Sequence, residues 1–193
     1  MQGLFMFIQI ESTPNPDTLK FLLSAEVVGM NSGAEFLSAD DAQASPLARL
    51  LFEVEGVEKV FFGGDFVSIT KAENILWEVL KPEVLVVMTD YCLLQGTDKE
   101  HVQASAEDEE KEFFDEKDSE IVQQVKELIE NYVKPAVAQD GGDIKFRGYK
   151  EGVVFVKLRG ACSGCPSAAV TLKDGVYGML SYYIPAIKAV ESI

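Results

Sequence analysis

The feature that most constrains this chain is an acidic stretch just past its middle. From Asp98 to Glu120 there are eleven acidic residues against three lysines, a local charge of 3 − 11 = −8 out of a net −15 for all 193 residues. Its apolar residues are few and non-periodic, so it cannot bury enough surface to offset the entropy of ordering. Like charges keep such a segment extended. A chain of this length can form one large or two small domains, and the stretch decides for two. The expected division is residues 1–96, a flexible acidic linker at 97–118, and residues 119–193. Phe113-Phe114 is the one apolar pair in the linker, and is expected to dock on a neighbouring domain.

Both flanking parts have the apolar content of ordinary cores, 47% hydrophobic residues over the chain. In the first part, Phe5 to Ile10 and Leu19 to Leu23 read as strands around a turn at Pro14-Asn15-Pro16-Asp17. Ser45 caps a helix that opens on Pro46 and runs to about Glu53. Val57–Phe62, Gly63-Gly64-Asp65 and Phe66–Thr70 give a hairpin signal, and a helix from Glu73 to Leu94, broken at Pro82, closes the domain. In the second part, Ile121, Val122, Val125, Leu128, Ile129, Tyr132 and Val133 form one helical stripe, capped by Asp118 or Ser119 and stopped by Gly141-Gly142. Two strands, Ile144–Tyr149 and Val153–Leu158, a helix from Pro166 to about Leu180 and a strand from Ile187 follow. The fold class is therefore α+β: two small α/β-layered domains joined by an acidic linker, the C-terminal one ordered α-β-β-α-β.

The chemistry concentrates at Cys162-Ser163-Gly164-Cys165-Pro166. Pro166 marks a first helical turn, which places both sulfurs where backbone N–H groups and the dipole favour thiolate. The pair can bind a metal, carry a metal–sulfur cluster, run dithiol redox chemistry, or sit inert. A closed zinc site needs four protein ligands, and an iron–sulfur cluster usually needs four cysteines. The third cysteine, Cys92, lies on an apolar helix and reads as core, and the single histidine, His101, lies in the linker. Two copies of the chain across a two-fold axis supply four thiolates. Such a site lies at a subunit interface, near the surface. Lys157, Arg159 and Lys173 are close by in sequence and read as an ordinary solvated sheet edge, the alternative being that they reduce the local negative field.

The acidic balance excludes nucleic acid as a partner and disfavours an anionic membrane. No segment reaches the roughly 20 apolar residues of a membrane span. Three unpaired cysteines and the absence of a basic leader point to a cytoplasmic, bacterial-type protein without a transit peptide. No Walker loop and no Ser/His/Asp arrangement is present, and an enzyme is not expected.

Three blocks carry a resemblance: Asp140-Gly141-Gly142-Asp143-Ile144, Val156 to Ser167 around the cysteines, and Thr171-Leu172-Lys173-Asp174-Gly175-Val176. They resemble the C-terminal domain of the NifU family. Phe7 to Phe21, Val54-Glu55-Gly56-Val57 and Phe61 to Val67 resemble the N-terminal domain of Nfu proteins of mitochondrial and alphaproteobacterial type. The resemblance implies a scaffold or carrier. It implies a [4Fe–4S] cluster shared between two chains through Cys162 and Cys165, a homodimer when loaded, and exchange with upstream assembly factors and apo recipient proteins. Dithiol redox or sulfur donation by the same cysteines is the alternative. Tyr177 and Ala186 depart from the family pattern, standing where acidic residues are frequent.

Overall fold

The computed structural model describes residues 8–23, 33–94, 111–163 and 166–193. The chain divides into two compact units, Met1–Ser105 and Ala106–Ile193. No helix among the described residues is long and apolar enough to cross a membrane.

The first unit is a five-stranded antiparallel sheet with two helices. Strands β1 (Gln9–Ser12) and β2 (Thr18–Leu22) flank the proline turn. There the Asn15 side chain accepts from Asp17 N at 3.0 Å and the Asn15 carbonyl accepts from Thr18 N at 3.0 Å. After β3 (Ala34–Phe36) and a single 3-10 turn, α1 (Pro46–Phe52) starts as expected, with Ser45 Oγ accepting from Ala48 N at 3.2 Å. β4 (Val57–Phe62) and β5 (Phe66–Lys71) form the hairpin, and α2 (Trp77–Leu94) closes the unit. The sheet order is β1-β2-β5-β4-β3. Phe21, Phe36, Leu51, Val60, Ile69, Leu80, Val84 and Met88 pack into one core from both layers. α2 runs through Pro82 without a break. The proline sits early in the helix, where the missing N–H costs a single bond near an end that already has unpaired donors. Residues 5–7 of the expected first strand lie outside the described residues.

The second unit follows the expected order. α3 (Ser119–Leu128), a π turn at Ile129–Val133 and α4 (Lys134–Gln139) make one interrupted helix, followed by β6 (Gly142–Lys150), β7 (Val153–Gly160), α5 (Pro166–Tyr183) and β8 (Ala189–Ser192). β6 and β7 are antiparallel, and β8 returns parallel to β7 after the α5 crossover. The core joins Val122, Val125, Ile129, Val133 and Val137 to Ile144, Val154, Val156, Val176 and Leu180.

Two expectations for the interrupted helix are corrected. Pro135 has no N–H to give the preceding turn, and the helix widens just upstream of it. That widening carries Tyr132 out of the stripe, to 60% exposure, where it stacks on Tyr183 at 6.5 Å. Neither Asp118 nor Ser119 caps the start through its side chain; Ser119 Oγ instead donates to Glu116 O at 2.5 Å.

The end of the acidic stretch belongs to this unit. Phe113 N donates to Arg147 O at 3.1 Å, Tyr149 N donates to Phe113 O at 2.9 Å, and the Phe113 ring meets Phe155 at 5.2 Å. The segment covers part of the outer edge of β6, which would otherwise offer unpaired backbone groups.

Candidate functional site

Cys162 sits in the turn that leaves β7. Gly160 takes φ 65°, a left-handed conformation, and reverses the chain there. Ser163 closes the turn, its N–H and Oγ both directed at Gly160 O, at 3.0 and 2.9 Å. A second glycine turn lies against the first. Gly141, φ 80°, ends α4 and accepts from Ala161 N at 3.1 Å. The antiparallel register, Gly142 opposite Gly160, thus brings Asp140-Gly141-Gly142-Asp143 beside the cysteine turn. The packing is close: a Cβ on Gly142 would lie 2.7 Å from both Cys162 Sγ and Arg159 O.

Cys162 is 6% exposed and belongs to the unit's apolar core. Burial pushes its pKa up to about 12, and the negative fields of Asp140 and Asp143 add to the rise. Its helix-terminal position was expected to favour thiolate; desolvation and two carboxylates reverse that. Asp143 is itself raised, by burial first, against the opposing pull of Lys134, the Ile144 N–H and Arg159. Lys134 also pairs with Glu130 at 2.5 Å.

Cys165 and Gly164 lie outside the described residues, as does His101. Arg159 corrects the reading of a solvated sheet edge, because it is 6% exposed and its charge acts on Asp143. Lys157 and Lys173 are half-buried. Cys92 is a half-buried thiol packed against the first unit's core, raised by burial. Tyr177 and Ala186 are exposed. Among the described residues, no group of three His, Cys, Asp or Glu side chains could hold a metal ion. Sequence reasoning missed the two carboxylates as neighbours of Cys162. Their place in Asp140-Gly-Gly-Asp143 was visible, and the signal that could have found them is the hairpin register.

Fold and site together define a two-unit α+β protein with a buried thiol at a glycine-framed strand-to-helix turn. The chain belongs to the Nfu-type family of scaffold proteins. The family model described as scaffold protein Nfu/NifU N terminal matches residues 8–95, and the NifU-like domain matches residues 125–191. A Drosophila erecta protein named NFU1 iron-sulfur cluster scaffold homolog, mitochondrial, is 48% identical over 189 residues, covering 97% of this chain and 65% of its own length. The protein of the same name from Drosophila ananassae is 47% identical over 188 residues, with 97% and 64% covered. A solved NifU-like protein from Saccharomyces cerevisiae matches with TM-score 0.43 and 28% identity, over 53% of this chain and 88% of that one. The chain spans about 65% of the length of the curated relatives it matches. These mitochondrial names overturn the cytoplasmic, bacterial-type placement. That placement rested on the first residues of the sequence, which say nothing about a leader when only part of each relative is matched.

Proposed function

We propose that this chain is a non-catalytic iron–sulfur carrier. Cys162 and Cys165 of each of two protomers hold one [4Fe–4S] cluster as cargo, received from upstream assembly factors and passed to apo recipient proteins. The observation that carries the reading is ligand count. The third thiol, Cys92, is packed against the core of the first unit, so each chain offers half a site at Cys162 and Cys165. A two-fold pairing completes it with four thiolates. Family membership supplies iron–sulfur chemistry over zinc. The dithiol alternative uses the same two cysteines and requires a reversible intramolecular disulfide without iron. Residues 119–193 form the cluster-binding domain in this reading, with residues 1–96 as a recognition domain and 97–118 between them.

Anaerobic reconstitution with iron and sulfide tests it. The expected product is a brown dimer with about four iron atoms per dimer, lost in Cys162→Ala and in Cys165→Ala and kept in Cys92→Ala. A colourless monomer would sink the proposal.

A further inference from the structure

The first unit holds neither proposed cluster ligand, yet its long helix has a second apolar face. Large apolar side chains clustered on an exposed helix face mark a surface that a partner can cover. In α2, Leu80, Val84 and Met88 enter the unit's own core. The other side presents Val79, Val86 and Leu93, which are 59%, 59% and 65% exposed, and Leu76, just before the helix, is 66% exposed. Val79, Val86 and Leu93 recur every seven residues, so they fall along one line about 21 Å long, at 1.5 Å per residue. Beside that line, between α1 and α2, lies a groove of about 420 Å³. Leu50, Val54, Pro82 and Val86 line it, together with Glu53 and Glu83. Glu78 and Asp90 add exposed acidic charge to α2, while the basic residues of the two helices, Arg49 and Lys81, lie outside the lining.

We propose that this groove docks an amphipathic helix of a partner protein, with one apolar stripe and lysine or arginine along its flanks. A straight apolar line beside a trough between two helices is the shape that receives a third helix. The charge selects its flanks. Glu53 and Glu83 attract a basic helix. A two-fold pairing of groove on groove brings the same acidic lining from both copies to one interface, which is repulsive. An anionic membrane is repelled on the same ground. The groove makes the first unit a partner-docking module. This goes beyond the carrier reading, and its test uses no cluster, so either can fail without the other.

The test uses the full reduced apo chain and two labelled peptides of equal leucine and lysine content. One places leucine at helical period, the other alternates leucine and lysine. Fluorescence anisotropy should show the helical-period peptide binding about tenfold tighter than the alternating one, with amide shifts confined to α1 and α2. Val86→Asp and Val79→Ser lie on exposed positions and should leave the melting temperature unchanged while weakening that peptide about tenfold. Glu53→Gln with Glu83→Gln should weaken it at low salt and flatten its salt dependence. Equal binding of both peptides, unmoved by Val86→Asp, would overturn the proposal. So would self-association abolished by Val86→Asp, or Val86-dependent binding to neutral phosphatidylcholine vesicles.

Discussion

Gly142 is where backbone and sulfur come closest, and Gly142→Ala is the sharpest probe of the site. The added methyl would lie 2.7 Å from Cys162 Sγ, 3.3 Å from Cys162 Cβ and 2.7 Å from Arg159 O. Non-bonded heavy atoms rest at about 3.5–4.0 Å, so the overlap approaches 1 Å. The Cys162 side chain can turn away, but Arg159 O is backbone in the β6–β7 ladder and moves only with its strand. Gly142 is absent from the positive-φ residues, so alanine meets no backbone penalty there. It even gains about 0.4–1 kcal/mol by restricting the unfolded chain. Overpacking of a tight interior costs about 1–3 kcal/mol. The net is a loss of about 1–2 kcal/mol, which for a unit of this size lowers Tm by about 5–10 °C. Scanning calorimetry of the apo chain reads the stability, and iron per chain after reconstitution reads the displaced sulfur. Both should fall. Gly64→Ala, with nothing within 4 Å of its added methyl, is the control and should stay within about 0.5 kcal/mol. Unchanged Tm with full iron loading in Gly142→Ala would refute the packing argument.

At pH 8 the folded apo chain should alkylate at Cys162 about a thousand-fold more slowly than an unperturbed thiol, since its pKa is raised from 9.0 to about 12; mass spectrometry that finds the free-cysteine rate contradicts the burial. A raised folded pKa means stability present below the unfolded value and lost as pH climbs toward about 12, so alkaline weakening above pH 9 should be smaller in Cys162→Ala. Ser45→Ala removes the cap on Ala48 N and should cost about 1 kcal/mol by denaturant melt; no loss means the cap contributes nothing. Phe113→Ala should speed exchange of the Tyr149 amide, which donates to Phe113 O, and unchanged protection means the strap is not held by its ring. Asp140→Asn with Asp143→Asn removes two charges that oppose thiolate, and should slow loss of a reconstituted cluster to a chelator; faster loss contradicts the electrostatic account.

Turn chemistry was the legible part of the fold, because it is local. Ser45-Pro46 marked α1, Gly63-Gly64-Asp65 marked the β4–β5 hairpin, and Gly141, with its positive φ, marked the end of α4. β3 was not legible. Ala34–Phe36 is too short to show a period and becomes a strand only by pairing with Val60–Phe62. Pro135 was visible, but the exposure of Tyr132 follows from where the widened turn sits along a packed helix. The cysteine motif was legible as a motif and its electrostatics were not. The helix-terminal argument used neighbours in sequence, whereas Asp140 and Asp143 reach Cys162 through the β6–β7 register.

That register bears on how a carrier lets go. At pH 7 a thiol that titrates at about 12 holds its proton by about 7 kcal/mol, against about 3 kcal/mol for one at 9.0, at 1.36 kcal/mol per unit. Whatever binds the Cys162 thiolate must first displace that proton, at about 4 kcal/mol more than for an unperturbed thiol. On the carrier reading the same margin is returned when the sulfur takes its proton back. Burial is the largest cause of that shift, with Asp140 and Asp143 adding to it. A permanent metal centre is served by the opposite arrangement, with thiolates already favoured before the metal arrives. If Cys162 holds the cluster as proposed, the buried thiol and its two carboxylates favour release as well as binding.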